Sequence, residues 1–469
     1  MLAQEKMGIR AALVGAALGG TALVSPQLAL ARDYNVRTES ELSTALRAAK
    51  PGDRVFLREG EWKDLQFSIK QGGTAAKPVI VAAKVAGKTI ITGESSVRIA
   101  GDNIVLANLV FRDGYSPSST VINVRGSGDH LPKNNRITGN VVENFSKPDK
   151  TQKDYWVSLT GEGHRVDHNA FVGKTNAGPT MVVRLDLDKG KPNNHKIEYN
   201  YFGPRPDFGG NGAETIRVGT STVVDDVSGT QIYRNVFERT NGEPEVISLK
   251  SRENVVAENT FYEVSGALTF RQGGKNVARR NVFVGNGREK TGGIRLTGSD
   301  HTVTENYFEG LNGTGYLSAL TLMNGESDAS SSGYRAVQRA TITNNSFYDS
   351  LQFAFGAGAN DSRTVTPTQV AMSGNLFGGQ TAMKLREYAP LGGVAFTGNV
   401  ASPKIRLGNG IAATETFEVR REKNGLLYAY RDGQRIETGV PFDMQPVTWR
   451  EVGPAYYEKP TPNTTQSAG

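Results

Sequence analysis

Residues 241–285 read NGEPEVISLKSRENVVAENTFYEVSGALTFRQGGKNVARRNVFVG, and this stretch carries both the period of the fold and its chemistry. Asn259-Thr260-Phe261 and Asn281-Val282-Phe283 repeat one signature 22 residues apart: β-forming residues, Asn, any residue, then an aromatic or aliphatic one. Outward from there the signature recurs at Asn108, Asn140, Asn169, Asn200, Asn235, Asn306, Asn345, Asn375 and Asn399. The successive intervals are 32, 29, 31, 35, 24, 22, 25, 39, 30 and 24 residues. A floor of 22 to 25 with longer excursions is what stacked coils with variable loops produce. Leucine-rich repeats share the period, but their leucine spacing is absent. Short runs of β-branched residues and 55 glycines point instead to an all-β fold. The expectation is a right-handed parallel β-helix with three short strands per coil. The recurring Asn is expected at a coil corner, bonding backbone groups of neighbouring turns.

The flanks read differently. Thr38 or Ser40 caps a short amphipathic helix with Leu42, Ala45, Leu46 and Ala49 on one face, ended by Pro51-Gly52. Such a helix would cover the first coil, whose open end otherwise exposes apolar side chains and unpaired backbone. After Val400 the rhythm fades. Phe417–Arg420 and Leu426–Tyr430, joined through Lys423-Asn424-Gly425, read as a hairpin that would close the C-terminal end. The resulting division is a signal peptide at 1–31, the β-helix at 32–400, a β extension at 401–459 and a disordered tail at 460–469.

Lys6 and Arg10 precede the apolar run Ala11–Val24, and Ala29-Leu30-Ala31 gives a small-x-small cleavage pattern. Met7 as the start would leave a more typical leader. The run is too short and weakly flanked for a membrane anchor, so an exported, periplasmic or secreted protein is expected. The 469-residue chain carries a formal charge of +7, or +6 once residues 1–31 are removed, which suits an anionic partner. An acidic polysaccharide fits an exported protein; nucleic acid does not. With no cysteine, thiol and Cys-zinc chemistry are excluded and the core alone must stabilise the fold. Nothing in the composition speaks to oligomeric state.

Glu243 and Glu245 stand one residue apart, so a strand would aim both carboxylates the same way. Such a pair repels unless a cation sits between, and oxygen-only ligands suit Ca²⁺ better than zinc or copper. Lys250 and Arg271 look like the opposite half of an acid–base site, 21 residues and so about one coil apart. Strict alternation from Glu245 puts Lys250 on the wrong face, so a bulge is expected within Ser248–Ser251. In MVVRLDLD, GAETIRVG, GALTFRQGG and TGGIRLTG an arginine is flanked by apolar residues. With Val183/Leu185, Ile216/Val218 and Ile294/Leu296 pointing inward, Arg184, Arg217 and Arg295 point out, and Arg271 joins them. A row of guanidinium groups on one outer face suits a polymer with regularly spaced carboxylates. The five histidines do not cluster at metal-ligand spacing and read as structural.

The N-E-x-E-x4-K run at Asn241–Lys250, LTFRQG at Leu268, GGIR at Gly292 and SALTLMNG at Ser318 resemble polysaccharide lyase family 6. That family includes alginate lyases and chondroitinase B, and the resemblance spans about Tyr34 to Val400. It implies a right-handed parallel β-helix and β-elimination at a uronic acid. By position it implies Lys250 as general base, Arg271 as general acid, and Asn211, Glu243 and Glu245 as Ca²⁺ ligands. Arg184, Arg217, Gln272 and Arg295 would bind substrate. One departure stands out: Arg271-Gln272-Gly273 occupies the place where family members commonly have RHG, and an amide does not titrate near neutrality. GGIRLTG and SALTLMNG look more like the alginate-degrading branch, with dermatan sulfate the near alternative. Two other classes compete. A glycoside hydrolase on the same fold would need two carboxylates about 5–9.5 Å apart and no lysine. A silent polysaccharide-binding β-helix would keep the arginines and tolerate loss of Lys250.

Overall fold

The computed structural model describes residues 31–185, 192–408 and 410–459. The expected signal peptide, but for Ala31, and the expected disordered tail lie outside the described residues. Among the described residues the chain winds into three long sheets of 14, 12 and 14 strands, and every neighbouring pair within them is parallel. This is the right-handed parallel β-helix expected from the repeat. One coil shows the order: Val255–Ala257 in the first sheet, Thr260–Tyr262 in the third, then Gly266–Gln272 in the second.

The Asn signature is the corner between the first and third sheets. Asn259 Oδ1 accepts the Asn235 N–H at 2.9 Å, and its Nδ2 donates to Ile232 and Ala257 carbonyls and to Asn281 Oδ1 at 2.9–3.0 Å. The same exchange runs unbroken from Asn140 through Asn399, each side chain buried. A buried Asn has four bonding sites, and a corner that presents carbonyls above and beside it fills them. Two residues further on, Phe171, Phe202, Phe237, Phe261, Phe283, Phe308, Phe347 and Phe377 stack inside the core at 4.4–5.3 Å. That spacing is the separation of paired strands, so the coil rise itself sets the ring stack. The signature is out by one residue at its first member. It is the Leu109 N–H, not that of Asn108, that bonds Asn140 Oδ1, and Asn108 takes the left-handed position before the corner (φ 64°).

A second polar ladder lines the corner that enters the first sheet, and here three of the five histidines find their place. Asn135 N–H donates to His164 Nδ1, His164 N–H to His195 Nδ1, and Asn276 N–H to His301 Nδ1 at 3.1–3.2 Å. Burial pushes His164 and His301 down to about 4, so these rings are neutral rungs of the stack.

Both ends are covered. Thr38 caps the helix Glu39–Ala48, accepting from the Glu41 N–H, and the helix buries Leu42, Ala45 and Leu46 in the core that Val55, Leu57 and Ile69 of the first coils also enter. At the other end Ile405, Leu407 and Ile411 close the core. The hairpin, Glu418–Arg421 against Leu427–Arg431, therefore does not close that end. Its apolar residues Leu426, Tyr428 and Ile436 pack sideways on Val282, Tyr307, Tyr348 and Leu376, because the third sheet offers an apolar outer face there. The chain then runs back along that sheet until Tyr456 donates to the Gly139 carbonyl at 2.6 Å. Among the described residues no helix is long and apolar enough to cross a membrane.

Candidate active site

The second sheet carries the chemistry on its outer face, over the strands Met181–Arg184, Ile216–Gly219, Glu245–Lys250, Gly266–Gln272, Thr291–Leu296 and Leu320–Met323. Val183, Leu185, Ile216, Val218, Ile294 and Leu296 are buried in the core as expected, and Arg184, Arg217 and Arg295 project outward between them. The strand register refines the row. Arg217 is level with Ser248, Ser248 with Thr269, and Thr269 with Arg295, so two arginines share one column three coil steps apart. Arg184 lies two residues beyond Val182, the residue level with Arg217, and so outside that column.

Lys250 reaches the outer face by a bulge placed earlier than the sequence suggested. Glu245 pairs with Ala267 and Ile247 with Leu268, leaving Val246 as the extra residue. Val246 and Ile247 both enter the core in succession, which reverses the alternation. Glu245, Ser248 and Lys250 then share the outer face, and Ser248 Oγ donates to Glu245 Oε2 at 2.6 Å. A second shift follows within the expected window, but the extra residue is on the neighbouring strand: Leu249 pairs with Phe270 and Lys250 with Gln272. Arg271 is that unpaired residue, and the bulge turns it toward Glu245. Gly273 must follow, because at φ 84° a Cβ would stand 2.2 Å from the Ser251 carbonyl oxygen.

Glu245 is the centre of the cluster. Its Oε1 accepts from Arg295 and lies 3.6 Å from Arg271 Nε. Burial raises its pKa, but Arg295, the Ser248 hydroxyl, Lys250 and Arg271 outweigh burial and hold it below the usual range. Glu243 is placed by a bend ahead of the strand rather than by the pleat, since Pro244 separates it from the first paired residue. Its Oε2 accepts from the N–H groups of Gly212 and Ala213. Burial, then the charge of Glu214 and that of Glu245, push Glu243 up to about 7. Glu214, unnoticed in the sequence, is buried; its Oε1 lies 3.8 Å from Arg217, while Oε2 has no partner. Its signal was present in GAETIR, three residues before Arg217, but nothing in the spacing marked that corner as facing Glu243. Asn211 is exposed on the loop whose next two N–H groups hold Glu243. Behind the acids a buried Arg205 donates to the carbonyls of Asn176, Gly178 and Glu214 at 3.0–3.1 Å, fixing that loop.

The arginines are held against aromatic rings: Arg217 near Tyr155 (6.0 Å), Arg295 near Tyr316 (5.8 Å) and Arg271 over Tyr334 (3.9 Å). Gln272 is buried, and both ends of its amide are engaged by loops. Tyr316 and Tyr334 lie outside the Asn signature, so the period carried no sign of them.

Among the described residues no three acidic or histidine side chains already stand at the spacing of a closed metal cage. The donor set nevertheless suits a hard cation: two carboxylates that repel, a third with an unpartnered buried oxygen, and a neighbouring Asn amide.

The family described as chondroitinase B matches residues 36–443. The PL6 family alginate lyase AlyGC superposes with a TM-score of 0.90 at 37% identity, over 93% of this chain and 60% of that one. The chain thus spans about three-fifths of that relative's length. A mannuronic acid specific family 6 lyase from human gut microbiota gives 0.74 at 30% identity, over 81% of this chain and 87% of that one. A PL6 alginate lyase solved with a trisaccharide shares the fold at a TM-score of 0.77 and 22% identity, over 91% and 96% of the two chains. No curated protein sequence matches the chain.

Proposed function

The chain belongs to the chondroitinase B family, polysaccharide lyase family 6, and from that premise we propose that it cleaves alginate by β-elimination, leaving unsaturated oligosaccharides. The observation that carries the reading is the gathering of Lys250, Arg271 and Arg295 around Glu245 on one strip of the second sheet. In this reading Lys250 takes the proton from C5 of a uronic acid. Arg271 stands where the glycosidic O4 departs; a guanidinium keeps its proton below about pH 12, so it stabilises the leaving oxygen by charge and hydrogen bonding, and water completes the protonation. Arg295 and Arg217, which share one column, bind carboxylates of the polymer, with Arg184 extending the strip. Removing a proton beside a carboxylate builds a second negative charge on one group, which is why cations crowd this site.

Asn211, Glu243 and Glu245 would hold Ca²⁺, with Glu214, whose charge acts on Glu243 and whose second oxygen has no partner, as a further donor. When bound, the ion supplies positive charge against the substrate carboxylate and so lowers the cost of the developing dianion. The leader-like sequence of residues 1–31 supports export to the periplasm or beyond. Dermatan sulfate is the second reading, favoured by the family's description, and the same arginines would serve its sulfates. Absorbance of the unsaturated uronate, followed on alginate and dermatan sulfate in parallel, tests both. A rise on alginate alone is expected. Chain cleavage without absorbance would mean hydrolysis, and no cleavage of either polymer would leave a binding protein.

A further inference from the structure

Two loops meet over the end of the Gly266–Gln272 strand, though they leave strands four steps apart in the second sheet. Residues 220–228 follow the Ile216–Gly219 strand, and residues 324–336 follow Leu320–Met323, a separation of about 19 Å along the stack. The side chain that joins them is Gln272, 2% exposed. Its Oε1 accepts from Ser221 Oγ at 3.1 Å, and its Nε2 donates to the carbonyls of Ser331 (2.5 Å) and Gly333 (3.5 Å). An outer tie reinforces the contact: Arg335 donates to both oxygens of Asp225 at 2.9 and 3.3 Å. An amide carries donor and acceptor at once, which this junction requires and which no carboxylate or ammonium provides.

The arch ends in Tyr334, whose ring rests on Met323, Ala354 and Ala357. The guanidinium carbons of Arg271 and Arg363 lie 3.9 and 3.8 Å from its centroid. Two cations at that range cannot share a face, so the ring is clamped between them. Each cation has its own carboxylate, Glu245 at 3.6 Å from Arg271 and Glu326 at 3.8 Å from Arg363. The direct bonds from Arg271 to the loop, to the carbonyls of Gly333 and Ser332, are long at 3.5 and 3.4 Å. Bonds of that length fix a long, flexible side chain weakly, and the stacked ring supplies the missing constraint.

We propose that Gln272 and Tyr334 are positioning residues for Arg271: Gln272 ties the two loops into an arch, and the arch holds the Tyr334 ring against the guanidinium. This rests on the lyase reading for its kinetic consequence, but the arch itself is testable without turnover. Backbone hydrogen exchange in residues 220–228 and 330–335 is compared between the full-length protein and Gln272→Glu, which keeps the acceptor for Ser221 and loses the donor to Ser331. Exchange in both loops should quicken by about tenfold while the Asn-ladder amides stay protected. Unchanged exchange would overturn the arch. For the kinetic arm, Tyr334→Ala should lower kcat by about ten- to a hundredfold with KM little altered, as expected from a misplaced catalytic group. Tyr334→Phe keeps the ring and should restore kcat to within about threefold of wild type. A Phe variant as slow as the Ala variant would show that the hydroxyl itself acts, and a pure KM effect would show that Tyr334 touches substrate; either overturns positioning. A wild-type protein without elimination activity would sink the lyase reading, and the exchange result alone would then decide the arch.

Discussion

Two corners of the same coils make opposite use of the chain. At the Asn corner every coil from Asn140 to Asn399 repeats one bonding pattern, and each rung satisfies the backbone of its neighbours. The loops that enter and leave the second sheet follow no common length, although a shorter ladder of Asn and His rungs runs where the chain rejoins the first sheet. Two short successive intervals of the period, 24 and 22 residues, contain Glu245, Lys250 and Arg271. The two longest are the 35-residue interval just before them and the 39-residue interval one coil beyond them, after the 25-residue coil of Arg295, and they supply residues 203–214, 220–228 and 324–336. The coils that bear the reacting groups are thus bare, and their neighbours build the walls. The lesson is a division of labour: stability comes from the corner that cannot vary, and the site from the corner that can.

The contrast can be broken from either side. Lys250→Ala should reduce elimination by about a thousandfold or more while leaving the thermal melt in place, and substantial residual turnover would remove the lysine as base. Asn259→Ala should do the reverse. It strands the carbonyls of Ile232 and Ala257 and two Asn partners, so a loss of about 3 kcal/mol in chemical denaturation is expected, with activity per folded molecule kept. An Asn259→Ala protein as stable as wild type would mean the ladder is ornamental. Chelation should lower both activity and Tm, since an ion held only by the folded chain stabilises it and its loss leaves Glu243 against the charges of Glu214 and Glu245. The pH dependence has a definite sign. Glu243, raised to about 7, is protonated below that pH in the metal-free protein, and an ion must displace the proton. The rise in Tm on adding Ca²⁺ should therefore be larger at pH 8 than at pH 6; an equal rise would place the ion elsewhere.

Smaller effects sharpen the comparison. Arg295→Ala should raise KM by about tenfold through the lost substrate carboxylate contact, and because Arg295 also bonds Glu245 it should change Ca²⁺ affinity in direct titration. A fall in kcat alone would put Arg295 in the chemistry. His301→Asn is the mildest. The ring's pKa is lowered by burial from 6.5 to about 4, so as pH falls from about 6.5 to about 4 the unfolded chain takes up a proton that the folded chain refuses. Stability is lost over that window, and an Asn rung that keeps the Asn276 bond should lose less. The Tm difference between pH 7 and pH 5 measures it.

Much of this was legible without coordinates. The Asn-x-aromatic signature announced the solenoid because each coil must satisfy the same backbone groups and fill the same slice of core, so the residues recur at the coil's own period. The inward and outward sense of Arg184, Arg217 and Arg295 followed from their apolar flanks. The misplaced first repeat at Asn108 shows the limit: an Asn is as welcome in the left-handed position before the corner as in the ladder itself, and sequence does not separate the two. The hairpin's strands were readable from their alternation, but not the surface they cover, since that surface lies on residues about 50 to 150 positions away.

What the sequence by itself determined, then, is everything that local periodicity encodes: the three-strand coil, the capping helix, the polar corners and the identity of the charged residues on the second sheet. Only the tertiary structure decided which of those charges meet. The bulge at Val246 turns Lys250 to the side of Glu245, Glu214 arrives from the preceding coil, and Tyr334 reaches Arg271 from a loop 63 residues further along the chain. Those placements depend on strand register and on contacts between distant segments, and a register shift of one residue reverses every side chain it follows.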